Sequence, residues 1–158
     1  MADTIAQIRR AIGVQPGAAL ECGIVPNGFA MHLHAALITL LTVLLLSVAM
    51  ALVGRARSRY KINAPATTGN VEFERVFRAH QNTIEQVVMF LPLLWLATLY
   101  CNEQWAAWAG FAWLLGRVWY LFGYVRPGGN RGGGFVLSML AWLALLLMSF
   151  CLVPRLFA

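Results

Sequence analysis

Four apolar stretches of the chain, each close to 20 residues or longer, are separated by short polar segments. They predict helices over about 29–53, 73–100, 105–124 and 134–156. About 20 helical residues are needed to cross the hydrocarbon core of a bilayer, and each stretch is close to that length or exceeds it. The pattern therefore predicts an all-α membrane protein in which residues 29–158 form a bundle of four transmembrane helices.

The second helix is polar in its first half and apolar in its second. The apolar half, Val87 to Tyr100, provides only about 21 Å of helix, which is too short to cross hydrocarbon. The polar half, which begins at Phe73, must therefore also lie at membrane depth. We expect protein or a polar ligand to cover it, and self-association would hide it most completely.

Residues 1–28 form an arm that precedes the first apolar stretch. Gly13, Pro16, Gly17 and Pro26 take the place of the apolar core and cleavage site of a secretory signal, so we expect no removable signal peptide. The arm either lies on the membrane surface or is disordered.

Composition supports the membrane interpretation. Hydrophobic residues make up 60% of the chain, against about 45–50% in a soluble domain. The net charge of +6 could suggest nucleic acid, but the basic residues cluster at the ends of the apolar stretches, with no soluble domain to present them. Membrane topology explains them better, and it predicts that the first and third connections are cytoplasmic. These connections carry Arg55, Arg57, Arg59, Lys61, Arg126 and Arg131.

Three cysteines, Cys22, Cys101 and Cys151, form no CxxC pair, and an odd number cannot be fully paired within one chain. We therefore expect packed or interfacial thiols rather than a disulfide framework or a zinc site.

Two predicted helices each carry a polar stripe at membrane depth. The stripes are Arg78, Asn82 and Glu85 on the second helix and Arg117, Tyr120 and Tyr124 on the third. Spacings of three and four residues place each set on one helical face. Since the second helix begins and the third ends on the same side of the membrane, the stripes should lie at similar depth.

Together with Arg57 and Arg131 from the adjoining connections, the stripes hold more guanidinium groups than carboxylates. Such a site favours a small, mostly anionic ligand, and a zwitterionic peptide with two carboxylates fits, because Glu85 could accept its ammonium group. In the structural alternative, Arg78 pairs with Glu85 and Arg117 reaches to the membrane surface. His80 lies on a different face, as a subunit contact or as part of a site shared between subunits.

The residues of this region resemble the signature of the MAPEG superfamily of microsomal glutathione transferases, leukotriene C synthase and prostaglandin E synthase. The similar segment is Glu74-Arg75-Val76-Phe77-Arg78-Ala79-His80-Gln81-Asn82 with Glu85, preceded by Thr67-Thr68-Gly69 and Glu72-Phe73. The resemblance continues through Arg117, Tyr120, Gly123-Tyr124 and Gly134-Phe135, and it covers the chain from about Arg55 onward.

The resemblance implies a homotrimer that binds the cosubstrate glutathione between neighbouring subunits near the cytoplasmic face, without a metal. The glutathione-binding residues would be Arg57, Arg78, His80, Asn82, Glu85, Arg117, Tyr120 and Tyr124. Arg131 matches the catalytic arginine beside the glutathione sulfur, where a fixed cation favours the thiolate. Where several members have tyrosine after the glutamate, this chain has Gln86.

The resemblance further implies a membrane-bound glutathione transferase, with glutathione-dependent peroxidase activity as a further possibility. Its second substrates would be lipophilic electrophiles or lipid hydroperoxides that enter from the bilayer. A non-catalytic lipid-binding accessory protein of the same fold is the alternative. A transporter or channel subunit is weakly supported, because the helices resemble neither paired broken helices nor an ion filter. Both a bacterial inner membrane and a eukaryotic endomembrane fit this multi-pass protein, with the glutathione site toward the cytoplasm.

Overall fold

The structure, a computed structural model, describes residues 32–126, 128–152 and 154. These residues form four α-helices and no strand. The helices are α1 (Leu33–Tyr60), α2 (Val71–Tyr100), α3 (Glu103–Val125) and α4 (Gly132–Ser149), and a 3-10 turn, Phe150–Leu152, continues α4. The predicted arm 1–28 lies outside the described residues.

Asparagine side chains begin the two central helices. Asn70 Oδ1 accepts hydrogen bonds from the backbone N–H groups of Glu72 at 2.9 Å and Phe73 at 3.2 Å. Asn102 Oδ1 accepts in the same way from the N–H of Trp105 at 3.0 Å. These bonds satisfy N–H groups that have no partner within a helix, so the sequence itself determines where α2 and α3 begin.

The α2–α3 pair forms the centre of the bundle, and α1 and α4 each pack against both of its members. The core is apolar and contains Ile38, Leu94 and Leu121, all fully buried. At its middle the rings of Phe90 and Trp113 stack with centroids 3.7 Å apart. Helices α3 and α4 approach closely at Gly116 and Gly134, where a Cβ atom on either glycine would collide with backbone of the facing helix. This close approach brings the start of α4 against the polar stripe of α3.

The first helix is longer than predicted. It was expected to end near residue 53, but it continues through Gly54 and the basic residues to Tyr60. A side chain at Gly54 would meet no neighbouring atom, so this glycine is exposed on a continuous helix and does not end it. The helix ends where Lys61 adopts a left-handed conformation with φ 54°. Arg57 consequently lies on a helix rather than in a loop.

The expectation for the cysteines was wrong for two of the three. Cys101, at the end of α2, forms a disulfide with Cys151 in the 3-10 turn after α4. The residues are 50 positions apart, and only the antiparallel packing of the helices brings them together. Cys22 lies outside the described residues.

Within the described residues, three of the four helices are long and apolar enough to cross a membrane: α1, α2, and α4 with its 3-10 continuation. The 23 residues of α3 suffice in length. They are less apolar because Arg117, two tyrosines and four tryptophans replace aliphatic residues.

The two ends of the bundle differ in their connections. We call the end formed by residues 55–75 and 120–135 the loop end, because both longer connections lie there. The opposite end, which contains His32, Tyr100 to Glu103 and Cys151, is the disulfide end. There His32 Nδ1 lies 3.1 Å from Glu103 Oε2 and joins the starts of α1 and α3.

Candidate functional site

The polar stripes of α2 and α3 meet inside the bundle. Asn82 Nδ2 donates a hydrogen bond of 2.7 Å to the Tyr120 hydroxyl. Arg117 Nη2 donates one of 3.0 Å to Thr83 Oγ1. Two helices thus hold one connected polar network, as the similar depth of the stripes predicts.

Arg117 is the most unusual member of this network, because only 1% of its surface is exposed. Its guanidinium carbon lies 4.3 Å from the centre of the Tyr120 ring, and its Nε has no hydrogen-bond partner among the described residues. No described carboxylate lies within ion-pair distance of it. A buried cation without a counter-charge is costly, so this position favours an anionic ligand.

A cavity of about 200 Å³, which we call the inner cavity, lies beside this network. It is lined by Asn82, Glu85, Gln86, Met89, Arg117, Tyr120 and Phe135. Four of these were predicted as ligand-binding residues: Asn82, Glu85, Arg117 and Tyr120. The cavity is therefore lined by α2, α3 and α4 together.

A second cavity, the loop cavity, occupies about 250 Å³ where α3 ends and α4 begins. It is lined by Arg75, Gly123, Tyr124, Arg126, Gly128, Gly129 and Arg131. The guanidinium of Arg131 lies 4.4 Å from the centre of the Tyr124 ring. Tyr124 in turn meets Tyr120 edge-on with centroids 5.5 Å apart, so the two rings connect the cavities. The described lining contains three arginines and no acidic residue, so the loop cavity also favours an anion.

Three predicted site residues line neither cavity: Arg57, Arg78 and His80. Arg57 donates a hydrogen bond of 2.7 Å to the backbone oxygen of Ala66 and lies over the Phe73 ring at 5.0 Å. Arg78 is exposed on the same stripe as Asn82, and His80 is half-buried on another face. A single chain therefore brings only part of the predicted set together.

The structural alternative does not hold within this chain. Among the described residues Arg78 and Glu85 form no ion pair, and Glu85 instead accepts a weak hydrogen bond of 3.5 Å from Gln81. Arg117 is buried in the bundle rather than extended to the membrane surface. The described residues therefore show neither the Arg78–Glu85 pair nor the surface position of Arg117 that this alternative required.

Sequence reasoning missed several lining residues. Arg75 could have been found, because it lies three positions before Arg78 on the same helical face. Gln86 was noted only for the absent tyrosine, yet it lines the inner cavity and its Nε2 lies 3.1 Å from Met139 Sδ. Met89 and Phe135 are apolar, so the search for polar stripes did not find them. Only the packing of α4 against α2 and α3 shows that they line the inner cavity.

Comparison with known proteins adds an independent finding. Residues 35–151 match the MAPEG family. The chain is 48% identical to an uncharacterized protein of Synechocystis over 69% of this chain and 80% of the relative. It is 46% identical to human microsomal glutathione S-transferase 2 over 60% of this chain and 65% of the relative, slightly under two thirds of that protein. It is 40% identical to guinea pig leukotriene C4 synthase, with 76% of this chain and 81% of the relative aligned.

Proposed function

The chain belongs to the MAPEG family, and from this premise we propose that it is a membrane-bound glutathione transferase with accompanying glutathione-dependent peroxidase activity. Relatives named as a glutathione transferase and as leukotriene C4 synthase support a glutathione-dependent reaction. The second substrate in this proposal is a lipophilic electrophile or a lipid hydroperoxide that reaches the site from the bilayer.

One observation carries the proposal: Arg117 is buried beside a polar cavity with no carboxylate partner among the described residues. A glutathione carboxylate would supply the missing charge, and arginine can bind a carboxylate through two parallel hydrogen bonds. Glu85 in the same lining is available for the ammonium group, while Asn82 and Tyr120 offer further hydrogen bonds. The inner cavity has the donors and acceptors that a zwitterionic peptide requires.

In the proposed mechanism Arg131 acts on the sulfur. A free thiol has a pKa of about 8.5, and a nearby fixed cation favours the thiolate over the thiol. The thiol proton leaves to water, and the thiolate sulfur bonds to the electrophilic carbon of the second substrate as the leaving group departs or a ring opens. Because Arg131 contacts the Tyr124 ring and has no ion pair among the described residues, its N–H groups are available to the sulfur.

Assembly as a homotrimer completes the proposal. Arg57, Arg78 and His80 line neither cavity of their own chain, so they would contribute to the site of a neighbouring copy. The polar half of α2 would then be covered by protein instead of lipid. The site would face the cytoplasm, where the basic connections are expected to lie.

The test uses the full chain purified in detergent. Calorimetry should show glutathione binding, the ultraviolet absorbance of a thiolate should rise on its addition, and a chlorinated dinitrobenzene should be conjugated. Absence of glutathione binding by the assembled protein would refute the proposal. Binding with neither conjugation nor reduction of lipid hydroperoxides would instead indicate the non-catalytic accessory protein.

A further inference from the structure

A third cavity, of about 400 Å³, lies on the α1 side of the α2–α3 pair, and we call it the flank cavity. The end of α1, the start of α2 and the end of α3 form its walls. Neither the inner cavity nor the loop cavity shares a lining residue with it. The proposed transferase chemistry does not use this cavity.

The charge of the flank cavity is positive. Arg55 and Arg59 both line it from α1 and are exposed. They are four residues apart, so their like charges repel each other across one helical turn. Among the described residues neither Arg55 nor Arg59 has a carboxylate within ion-pair distance. The acidic residue in the lining, Glu72, lies 3.6 Å from Arg75 instead. An anion between the two guanidinium groups would relieve this repulsion.

Part of the lining of the flank cavity is apolar. Leu52, Val76 and Val125 line it, one from each of the three helices. The apolar stretch of α1 ends at Val53, so Arg55 and Arg59 lie about 3 and 9 Å beyond it along the helix. The head-group layer of one leaflet is about 5–8 Å thick. Arg55 therefore lies within the head-group layer and Arg59 at its outer edge, while the apolar side chains lie beside the hydrocarbon.

Basic residues that only set membrane topology need no cavity beside them. Lys61 is an example, since it is exposed at the end of α1 and does not line the flank cavity. Arg55 and Arg59 differ because they share one cavity with an apolar wall. That combination matches an amphiphile with a negative head better than it matches solvated charge.

We propose that the flank cavity binds the head group of an anionic membrane phospholipid. Arg55 and Arg59 hold its phosphate oxygens, and one acyl chain lies over Leu52, Val76 and Val125. A zwitterionic lipid fits less well, because the Glu72 carboxylate that could accept its cationic group is already close to Arg75. The bound lipid would tie the end of α1 to α2 and α3, and this role is independent of glutathione.

The experiment adds lipids to the delipidated full chain in detergent and follows the midpoint of thermal unfolding. We expect phosphatidylglycerol to raise the midpoint of the wild type, with phosphatidylcholine and inorganic phosphate giving little change. The double variant Arg55→Gln/Arg59→Gln should need about tenfold or more phosphatidylglycerol for the same rise. The variant Lys61→Gln, which removes one charge nearby, should respond as the wild type does.

An equal rise with phosphatidylcholine, or an equal loss of response in Lys61→Gln, would overturn the proposal. An equal rise with inorganic phosphate would overturn the lipid assignment and leave a simple anion site. If the double glutamine variant does not fold, Arg55→Lys/Arg59→Lys decides, because it keeps the charge and loses the paired N–H donors. It should still need more phosphatidylglycerol than the wild type, and an unchanged requirement would count against specific recognition of the phosphate.

Discussion

At the loop end of the bundle, Arg57 and Arg131 lie over aromatic rings, whereas at the disulfide end side chains from different helices pair with one another. Arg131 lies 4.4 Å from the Tyr124 ring centre and Arg57 lies 5.0 Å from that of Phe73. At the other end Cys101 is bonded to Cys151, and the His32–Glu103 contact is 3.1 Å. An aromatic ring orients a guanidinium without using its N–H donors, so those donors stay available to a ligand.

This difference indicates a division of roles between the ends. Side chains that are already bonded to each other contribute to stability, and few of their donors and acceptors remain available to a ligand. Side chains that are oriented by a neighbouring ring but keep free hydrogen-bond donors are suited to binding and catalysis, at some cost in stability. The following variants test that division, from the largest expected effect to the smallest.

Removing the guanidinium at the loop cavity should have the largest effect. We expect Arg131→Ala to lower the turnover of glutathione conjugation by about 10²–10³-fold, the usual cost of losing one group that stabilises developing charge. The dissociation constant for glutathione, measured by calorimetry, should change much less. Arg126→Ala removes a neighbouring arginine of the same cavity and should keep most of the turnover. Equal losses of affinity and turnover in Arg131→Ala would assign that residue to binding alone.

Breaking the disulfide should change stability and leave the site intact. The double variant Cys101→Ser/Cys151→Ser should lose roughly 2–4 kcal/mol of stability, because the bond closes a long loop in the unfolded chain. Its thermal unfolding midpoint in detergent should fall, while its glutathione affinity stays that of the wild type. Cys101→Ser alone should lose as much as the double variant does. A parallel loss of affinity would show that the two ends are coupled.

Removing one hydroxyl from the inner cavity should have a moderate effect on binding. Tyr120→Phe keeps the ring under Arg117 but removes the acceptor of the 2.7 Å hydrogen bond from Asn82. We expect glutathione affinity to fall about fivefold, since a hydrogen bond contributes about 1 kcal/mol net. Tyr100→Phe, at the disulfide end, is the matched control and should bind as the wild type does. An unchanged affinity in Tyr120→Phe would exclude this hydrogen bond from ligand recognition.

The smallest effect should come from the polar contacts of Glu103 at the disulfide end. Glu103→Gln weakens the contacts with His32 and His34, which lie 3.1 and 3.7 Å from its carboxylate, and partly exposed pairs of this kind contribute at most about 1 kcal/mol. The unfolding midpoint should therefore fall only slightly. Glu85→Gln makes the same change in the inner cavity and should weaken glutathione binding rather than stability. The reverse result would contradict the division between the ends.

Much of the fold could be predicted because its signals are local. Helical periodicity alone puts Arg78, Asn82 and Glu85 on one face, and Asn70 and Asn102 carry the start signals of α2 and α3. The end of α1 was misplaced because the apolar stretch ends at Val53, just before Gly54 and the basic residues, although nothing in the fold requires the helix to stop there. Whether a glycine ends a helix depends on its surroundings as well as on its type.

The candidate site was predictable in composition but not in arrangement. The predicted stripe on α3 contained Arg117 and Tyr120. The spacing of these residues does not predict that Arg117 is fully buried or that it contacts Thr83. Spacing also could not separate the residues that line a cavity within one chain from Arg57, Arg78 and His80, which do not. These distinctions depend on distances between residues that are remote in sequence.

The sequence by itself determined the class of protein, the four helices and the face on which each polar residue lies, because the hydrophobic periodicity and the backbone hydrogen bonds of a helix repeat within one or two turns. Only the tertiary structure decided which faces meet, where the three cavities form and which two cysteines bond. Those outcomes follow from how closely particular helices can approach, as Gly116 and Gly134 allow α3 and α4 to do. Such packing is a property of helix pairs, and no single stretch of sequence specifies it.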